Sequence, residues 1–201
     1  MQSRRALVVV VISLFAVPMG ACNRTPENPP PSCDDSLCTV SDDDVLLTVV
    51  DASDHEAWAY LDLETASLVE VDDPLDEATW DLGFERMVVK SNGGVNGNAG
   101  AQVCVLDDTD FDELLAPPPN CAWRVDAESR PDPRDPGGTV MNDDPWYDYD
   151  LVDHTLTAKA RRVYIVQTGD GAFFKIQFAD YYSSEGVAGW PSFMWSTLAP
   201  F

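Results

Sequence analysis

Histidine is nearly absent from this chain: His55 and His154 are the only two in 201 residues. A hydrolase built on an imidazole base would have to use one of them, and neither stands in a catalytic setting. His55-Glu56 is followed by Ala57-Trp58-Ala59, so it closes no HExxH zinc helix, and no GxSxG elbow or Walker loop occurs. The sequence therefore reads as a non-enzyme. Basic residues are also scarce, 12 Lys and Arg against 35 Asp and Glu. Such a surface is soluble and self-repelling and excludes DNA, RNA and an anionic bilayer face as partners. There is no CxxC pair to nucleate a zinc site. No repeat of fixed length is present. The one sustained apolar run, Ala6 to Val17, is broken by Ser13 and falls short of the roughly 20 residues a spanning helix needs.

That run has another use. Arg4 and Arg5 precede it, and Met19-Gly20-Ala21 leads directly to Cys22. A positive start, a short apolar core and small residues at the end mark a signal peptide, placed here at 1–21. Gly20-Ala21-Cys22 resembles the bacterial lipobox, in which the cysteine is lipidated and becomes the new N-terminus. Met19 stands where leucine is usual. Asn23 in place of aspartate favours the outer membrane under the enteric sorting rule. Removing two arginines and no acid leaves a mature charge of 10 − 35 = −25, so the lipid on Cys22 has to supply the membrane binding.

Four further cysteines remain, Cys33, Cys38, Cys104 and Cys121. An even number in an oxidising compartment predicts two disulfides, with three connectivities open. Local loop closure favours Cys33–Cys38 and Cys104–Cys121. The second loop would contribute about 3 kcal/mol on the chain-entropy account.

Residues 22–44 are rich in proline, serine and aspartate and read as the lipidated cysteine and a spacer. The domain is placed at 45–201. Short β-prone runs follow at Val45 to Val50, Trp58 to Leu63 and Ser67 to Val71, separated by turn-forming residues. Thr79 to Lys90 reads as one strand, with Trp80, Leu82 and Phe84 on one face. It runs into Ser91-Asn92-Gly93-Gly94-Val95-Asn96-Gly97, which reads as a structural turn rather than a phosphate cradle. Asp110 to Leu115 is expected to form one or two helical turns, ended by Pro117-Pro118-Pro119. Residues 126–145 read as a long surface loop. Val163 to Thr168 and Ala172 to Ala179 flank Gly169-Asp170-Gly171 as a hairpin, with Phe174, Ile176 and Phe178 on one face. Ser192 to Leu198 is expected to close the sheet. The fold class is all-β, with one short helix at most.

Carboxylates are abundant enough to raise calcium. Asp108-Thr109-Asp110-Phe111-Asp112 opens like an EF-hand loop, but Glu113 and Pro119 occupy the two positions where that geometry needs glycine and glutamate. An irregular site among Asp143, Asp144, Asp148 and Asp150 is the alternative, set against solvated acidic loops.

Two stretches resemble the HmuY-like haem-binding lipoproteins. One is Trp80-Asp81-Leu82-Gly83-Phe84-Glu85-Arg86, continuing through Lys90-Ser91-Asn92-Gly93-Gly94 to Gly97. The other starts at Trp146-Tyr147-Asp148-Tyr149 and passes His154 and Val163-Tyr164-Ile165-Val166. It continues through Phe174-Lys175-Ile176-Gln177-Phe178 and Tyr181-Tyr182 to Gly186 and Gly189. The resemblance implies two packed, mostly antiparallel sheets with protruding hairpins. It also implies capture of haem outside the cell, through paired histidine or methionine ligands, and transfer to an outer-membrane receptor.

The matching motifs belong to the scaffold, so the ligands have to be sought among the residues themselves. Imidazole and thioether suit haem iron. The candidates are His154 and Met141, which flank the aromatic Trp146, Tyr147 and Tyr149, followed by His55, Met87 and Met194. Met87 and Met194 sit in strand patterns that read as packing. Arg161, Arg162 and Lys159 are the cations available to the two propionates. The rival reading is a surface adhesion or structural module of the same fold that has lost haem and binds calcium or a protein partner.

Overall fold

The computed structural model describes residues 36–42, 44–127 and 138–200. The signal segment, Cys22, Cys33 and most of the spacer lie outside the described residues. The side chain of Cys38 does too, and with it the expected Cys33–Cys38 bridge.

Twelve strands are present among the described residues. In chain order they are β1 (Leu37–Asp42), β2 (Val45–Val50), β3 (Ala59–Asp62), β4 (Ser67–Val69), β5 (Leu82–Glu85), β6 (Val88–Ser91), β7 (Gln102–Leu106), β8 (Tyr147–Tyr149), β9 (Leu156–Ala158), β10 (Val163–Gln167), β11 (Phe173–Tyr182) and β12 (Ala188–Leu198). One helix, α1, spans Val140–Asp143. The strands form a six-stranded sheet ordered β1-β2-β12-β11-β10-β7, a four-stranded sheet ordered β4-β3-β5-β6, and the β8-β9 hairpin. All pairings are antiparallel. The all-β fold expected from the sequence is the fold observed.

Alternation along the strands builds the core. Phe174, Ile176 and Phe178 of β11 and Phe193 and Trp195 of β12 meet Leu61, Leu82, Phe84 and Val89 of the smaller sheet. Phe84 stacks on Phe193 at 5.5 Å and ties the two layers together. The other face of the large sheet is covered as well. Cys104, Ile165, Phe173 and Leu198 pack under Leu114, Cys121 and Trp123, carried by the segment that follows β7. The expected Cys104–Cys121 disulfide holds that segment down, Cα to Cα 5.8 Å. Lys175, only 6 % exposed, donates from Nζ to the carbonyls of Phe111 (2.6 Å) and Leu114 (3.0 Å).

Three local expectations need correction. The single strand over Thr79–Lys90 is the hairpin β5–β6, turning at Arg86, whose φ is +55°. No glycine or proline marks that turn. It is held by tertiary bonds, from Arg86 N to Ala52 O (2.8 Å) and from the guanidinium to Ser53 O and Ala188 O. Asp110–Leu115 is not helical: it makes one turn, Leu114 N to Phe111 O, and Lys175 takes the carbonyls a helix would have used. The helix lies instead inside the expected 126–145 loop. Thr139 caps it, and Asp126, 2 % exposed, accepts from Val140 N at 2.9 Å. Pairing in the large sheet also begins at Leu37, on the spacer side of the boundary expected at 45. The β-prone Leu37-Cys38-Thr39-Val40 is masked there by the acidic and proline-rich composition around it.

The Ser91–Gly97 loop is the structural turn it reads as. Asn92, fully buried, donates to Glu77 O and Trp80 O and accepts from Ala99 N. Asp126 accepts from Ser91 N and Asn96 Nδ2. Gly94 has φ +63°, and a Cβ there would sit 1.8 Å from Asp126 O.

Candidate functional site

One end of the sandwich gathers four connections: the 51–58 loop, the β5–β6 turn, the β8–β9 tip and the β11–β12 turn. Hydrogen bonds place them together. Ala52 N donates to Gly189 O, and Arg86 reaches both Ser53 and Ala188. Arg86 also lies 5.9 Å over the Tyr181 ring. The next tyrosine, Tyr182, takes Leu156 N on its hydroxyl at 3.0 Å and so fixes β9 beside β11.

His154 sits on the β8–β9 tip, exposed, with φ +57°. Its Nδ1 is 2.8 Å from the Tyr149 hydroxyl. That contact orients the ring, and a tautomer with the proton on Nδ1 leaves Nε2 as a lone-pair donor. Asp150 shapes the tip by accepting from Val152 N (2.7 Å) and Asp153 N (3.1 Å), which holds its carboxyl below the usual range. This turn pushes Leu151 and Val152 outward, 79 % and 84 % exposed.

At the other end of the β8–β9 hairpin, aromatic side chains enter the core. Trp146 stacks on Phe178 at 4.5 Å, meets Tyr147 edge-on at 5.1 Å, and donates from Nε1 to Met87 O. Tyr181 points its hydroxyl toward Met87 Sδ at 4.0 Å, and burial raises its pKa.

The sequence candidates are thus separated by depth. His154 and His55 are exposed at this end, and Met87 is half-buried there. Met141 is 2 % exposed within the core, and Met194 lies in mid-sheet between Gln177 and Leu47. The three propionate cations are already engaged: Arg161 with Asp108 O, Arg162 with Asp107 (2.7 Å) and Lys159 with Asp148 (3.5 Å).

Of the four acids singled out for calcium, three are spent locally, Asp144 on Arg124, Asp148 on Lys159 and Asp150 on its own turn. A different trio comes together among the described residues. Asp62, Glu64 and Asp81 bring carboxylate oxygens within 4.8 Å of one another, beside a cavity of about 490 Å³ that Thr168 and Asp170 also line. Asp81, 6 % exposed, accepts from Leu63 N at 2.8 Å. Burial, reinforced by Glu64 and Asp62, pushes its pKa up to about 7. Sequence reasoning missed this trio because the residues come from two separate β runs and only strand pairing brings them together. Among the described residues, no helix is long and apolar enough to cross a membrane.

The fold has known counterparts. An apo HmuY analogue from Tannerella forsythia aligns with a TM-score of 0.59 at 17% identity, over 83% of this chain and 100% of that one. A Bacteroides fragilis protein solved as a candidate lipoprotein gives 0.60 at 19%, over 80% and 95%. A candidate HmuY-like haem-binding protein from Bacteroides vulgatus gives 0.55 at 21%, over 76% and 91%. No curated protein matches the chain. The family model described as HmuY protein matches residues 54–195, a span that runs from the 51–58 loop into β12 and takes in every connection at the His154 end, and the chain belongs to that family.

Proposed function

We propose that this protein binds haem or a related tetrapyrrole at the His154 end of the sandwich and is anchored to the outer membrane through a lipid on Cys22. It would pass its ligand to a membrane receptor and catalyse nothing. One observation carries the site: an exposed imidazole, oriented at Nδ1 by Tyr149, stands on a tip that also exposes Leu151 and Val152. That donor set suits a porphyrin, with imidazole for iron and apolar surface for the macrocycle. The similar Bacteroides vulgatus structure, described as haem-binding, supports the ligand class. The candidate lipoprotein from Bacteroides fragilis supports the anchor. Haem supplies the iron chemistry. The chain supplies His154, apolar cover from Leu151 and Val152, and a second donor. Met141 would have to leave the core to serve as that donor, whereas His55 and Met87 already lie at this end.

The test is a haem titration of residues 22–201 carrying Cys22→Ser, read by absorbance in both iron oxidation states. A saturable one-to-one shift that His154→Ala removes is the expected result. A non-saturable response overturns the proposal and leaves the rival reading, a module of this fold without haem. The pairing of Lys159, Arg161 and Arg162 with local partners favours that rival, since propionates would have to displace them.

A further inference from the structure

The described chain enters the fold at the same end that carries His154. Ser36 O accepts from Asp51 N at 2.8 Å, beside the 51–58 loop. Only 36 − 22 = 14 residue steps separate Cys22 from that point, a reach of at most about 50 Å. The opposite end, at the Gly169–Gly171 turn, lies a strand length further away: β12 is 11 residues long, or about 35 Å.

Four of the eight exposed large hydrophobic residues described belong to the β8–β9 hairpin and the β11–β12 turn at the near end; the others are Leu75, Val95, Leu115 and Val125. Leu151 and Val152 are the two most exposed large hydrophobic residues described, and Tyr149 (47 %) and Val187 (49 %) join them. The Asp150 turn locks Leu151 and Val152 outward, so their exposure is built into the backbone. A patch of this kind on a strongly acidic protein needs an occupant. The tether supplies one, because it holds this end within reach of the bilayer that carries the anchor. Asp150, Asp153 and Glu185 surround the patch and would repel an anionic surface, so the surface it fits is a zwitterionic one.

We infer that the β8–β9 tip rests on the lipid surface in which the protein is anchored, with Leu151 and Val152 in the interfacial layer. The inference rests on anchoring at Cys22, and lipid and haem would cover Leu151 and Val152 in turn, so the test below is made without haem. Capture and release would then take place at the bilayer face.

An environment-sensitive fluorophore on Val152→Cys, with the same label on Asp170→Cys as the far-end control, tests this on phosphatidylcholine vesicles. Mass spectrometry of the cell-expressed full chain decides lipidation of Cys22 separately. The probe experiment is run both on that lipidated protein and on residues 22–201 held to nickel-chelating lipid by a histidine tag at position 22. A blue-shifted emission at position 152, quenched by spin-labelled lipid and absent at position 170, is the expected result in the tethered protein. It should be lost when Leu151 is changed to Asp. Equal emission at both positions, or none at position 152, overturns the inference whichever anchor is used.

Discussion

At the scale of single residues, the buried ionisable groups set how the protein responds to pH. Asp81 is held near 7 against its ordinary 3.8, and burial of Lys90 lowers its amine from 10.5 to about 8. Lys90 is enclosed by rings, its Nζ 4.0 Å from Trp58 and 4.9 Å from Tyr60, and it bonds the Tyr60 hydroxyl at 3.1 Å. Gly83 of the Trp-Asp-Leu-Gly motif makes room for it, since a Cβ there would lie 2.8 Å from Lys90 Cε. Between pH 4 and 7 the folded protein holds a proton on Asp81 that the unfolded chain has released, so raising pH costs stability in that window. Between pH 8 and 10.5 the unfolded chain holds a proton that folded Lys90 has lost, so raising pH restores stability. Urea titrations across this range should show a minimum near pH 7 to 8. Asp81→Asn should flatten the acid-side slope, to which burial of Asp126 also contributes, and gain on the order of 2 kcal/mol at pH 8; an unchanged slope would assign the effect elsewhere. Met141→Ala should cost about 2–5 kcal/mol through the cavity it leaves, without altering a haem spectrum that His154→Ala abolishes.

Among the elements, the post-β7 segment and the 91–97 loop are the two whose integrity hangs on a few contacts. Removing the staple with Cys104→Ala and Cys121→Ala together should lower stability by about 3 kcal/mol in denaturant. Trp123 fluorescence should report the segment lifting away, because its ring packs 5.7 Å from Phe173. Gly94→Ala should cost at least about 2 kcal/mol, as it meets a carbonyl and a left-handed backbone at once. Legibility in the sequence followed the range of the forces involved. The β10–β11 hairpin was readable because Gly169-Asp170-Gly171 sits between two alternating runs, and turn and pattern agree. The β5–β6 turn was not, because Arg86 takes a positive φ for partners 33 and 102 residues away. Helix α1 was hidden for the same reason, its start fixed by Asp126 and its Asn142 closing the β6 edge through Val89 N. In the candidate site His154 was visible as one of two histidines. The depth of Met141 was not, since a methionine beside aromatic residues reads the same way whether it lines a pocket or fills a core.

For the molecule as a whole, a net charge of −23 has to be accommodated on a small protein. Self-repulsion of that size should make the melting temperature climb as sodium chloride is raised through the first few hundred millimolar, by screening alone. A melting temperature insensitive to salt would mean that the paired cations already neutralise the surface locally. The order of the six-stranded sheet has a different kind of consequence. The second position from the β1 side is β2, and the strand that joins β2 to β11 is β12, the last among the described strands. The hydrogen bond from Trp195 Nε1 to Thr48 Oγ1 spans 147 residues. While the polypeptide is still being made, β2 has no neighbour on that side and the core has no Phe193 or Trp195. A nascent chain halted at Val187 should therefore stay protease-sensitive, and folding should be slow, as sheets with such distant pairings are. For a chain exported as proposed above, this delay would keep it threadable until its final strand has left the ribosome.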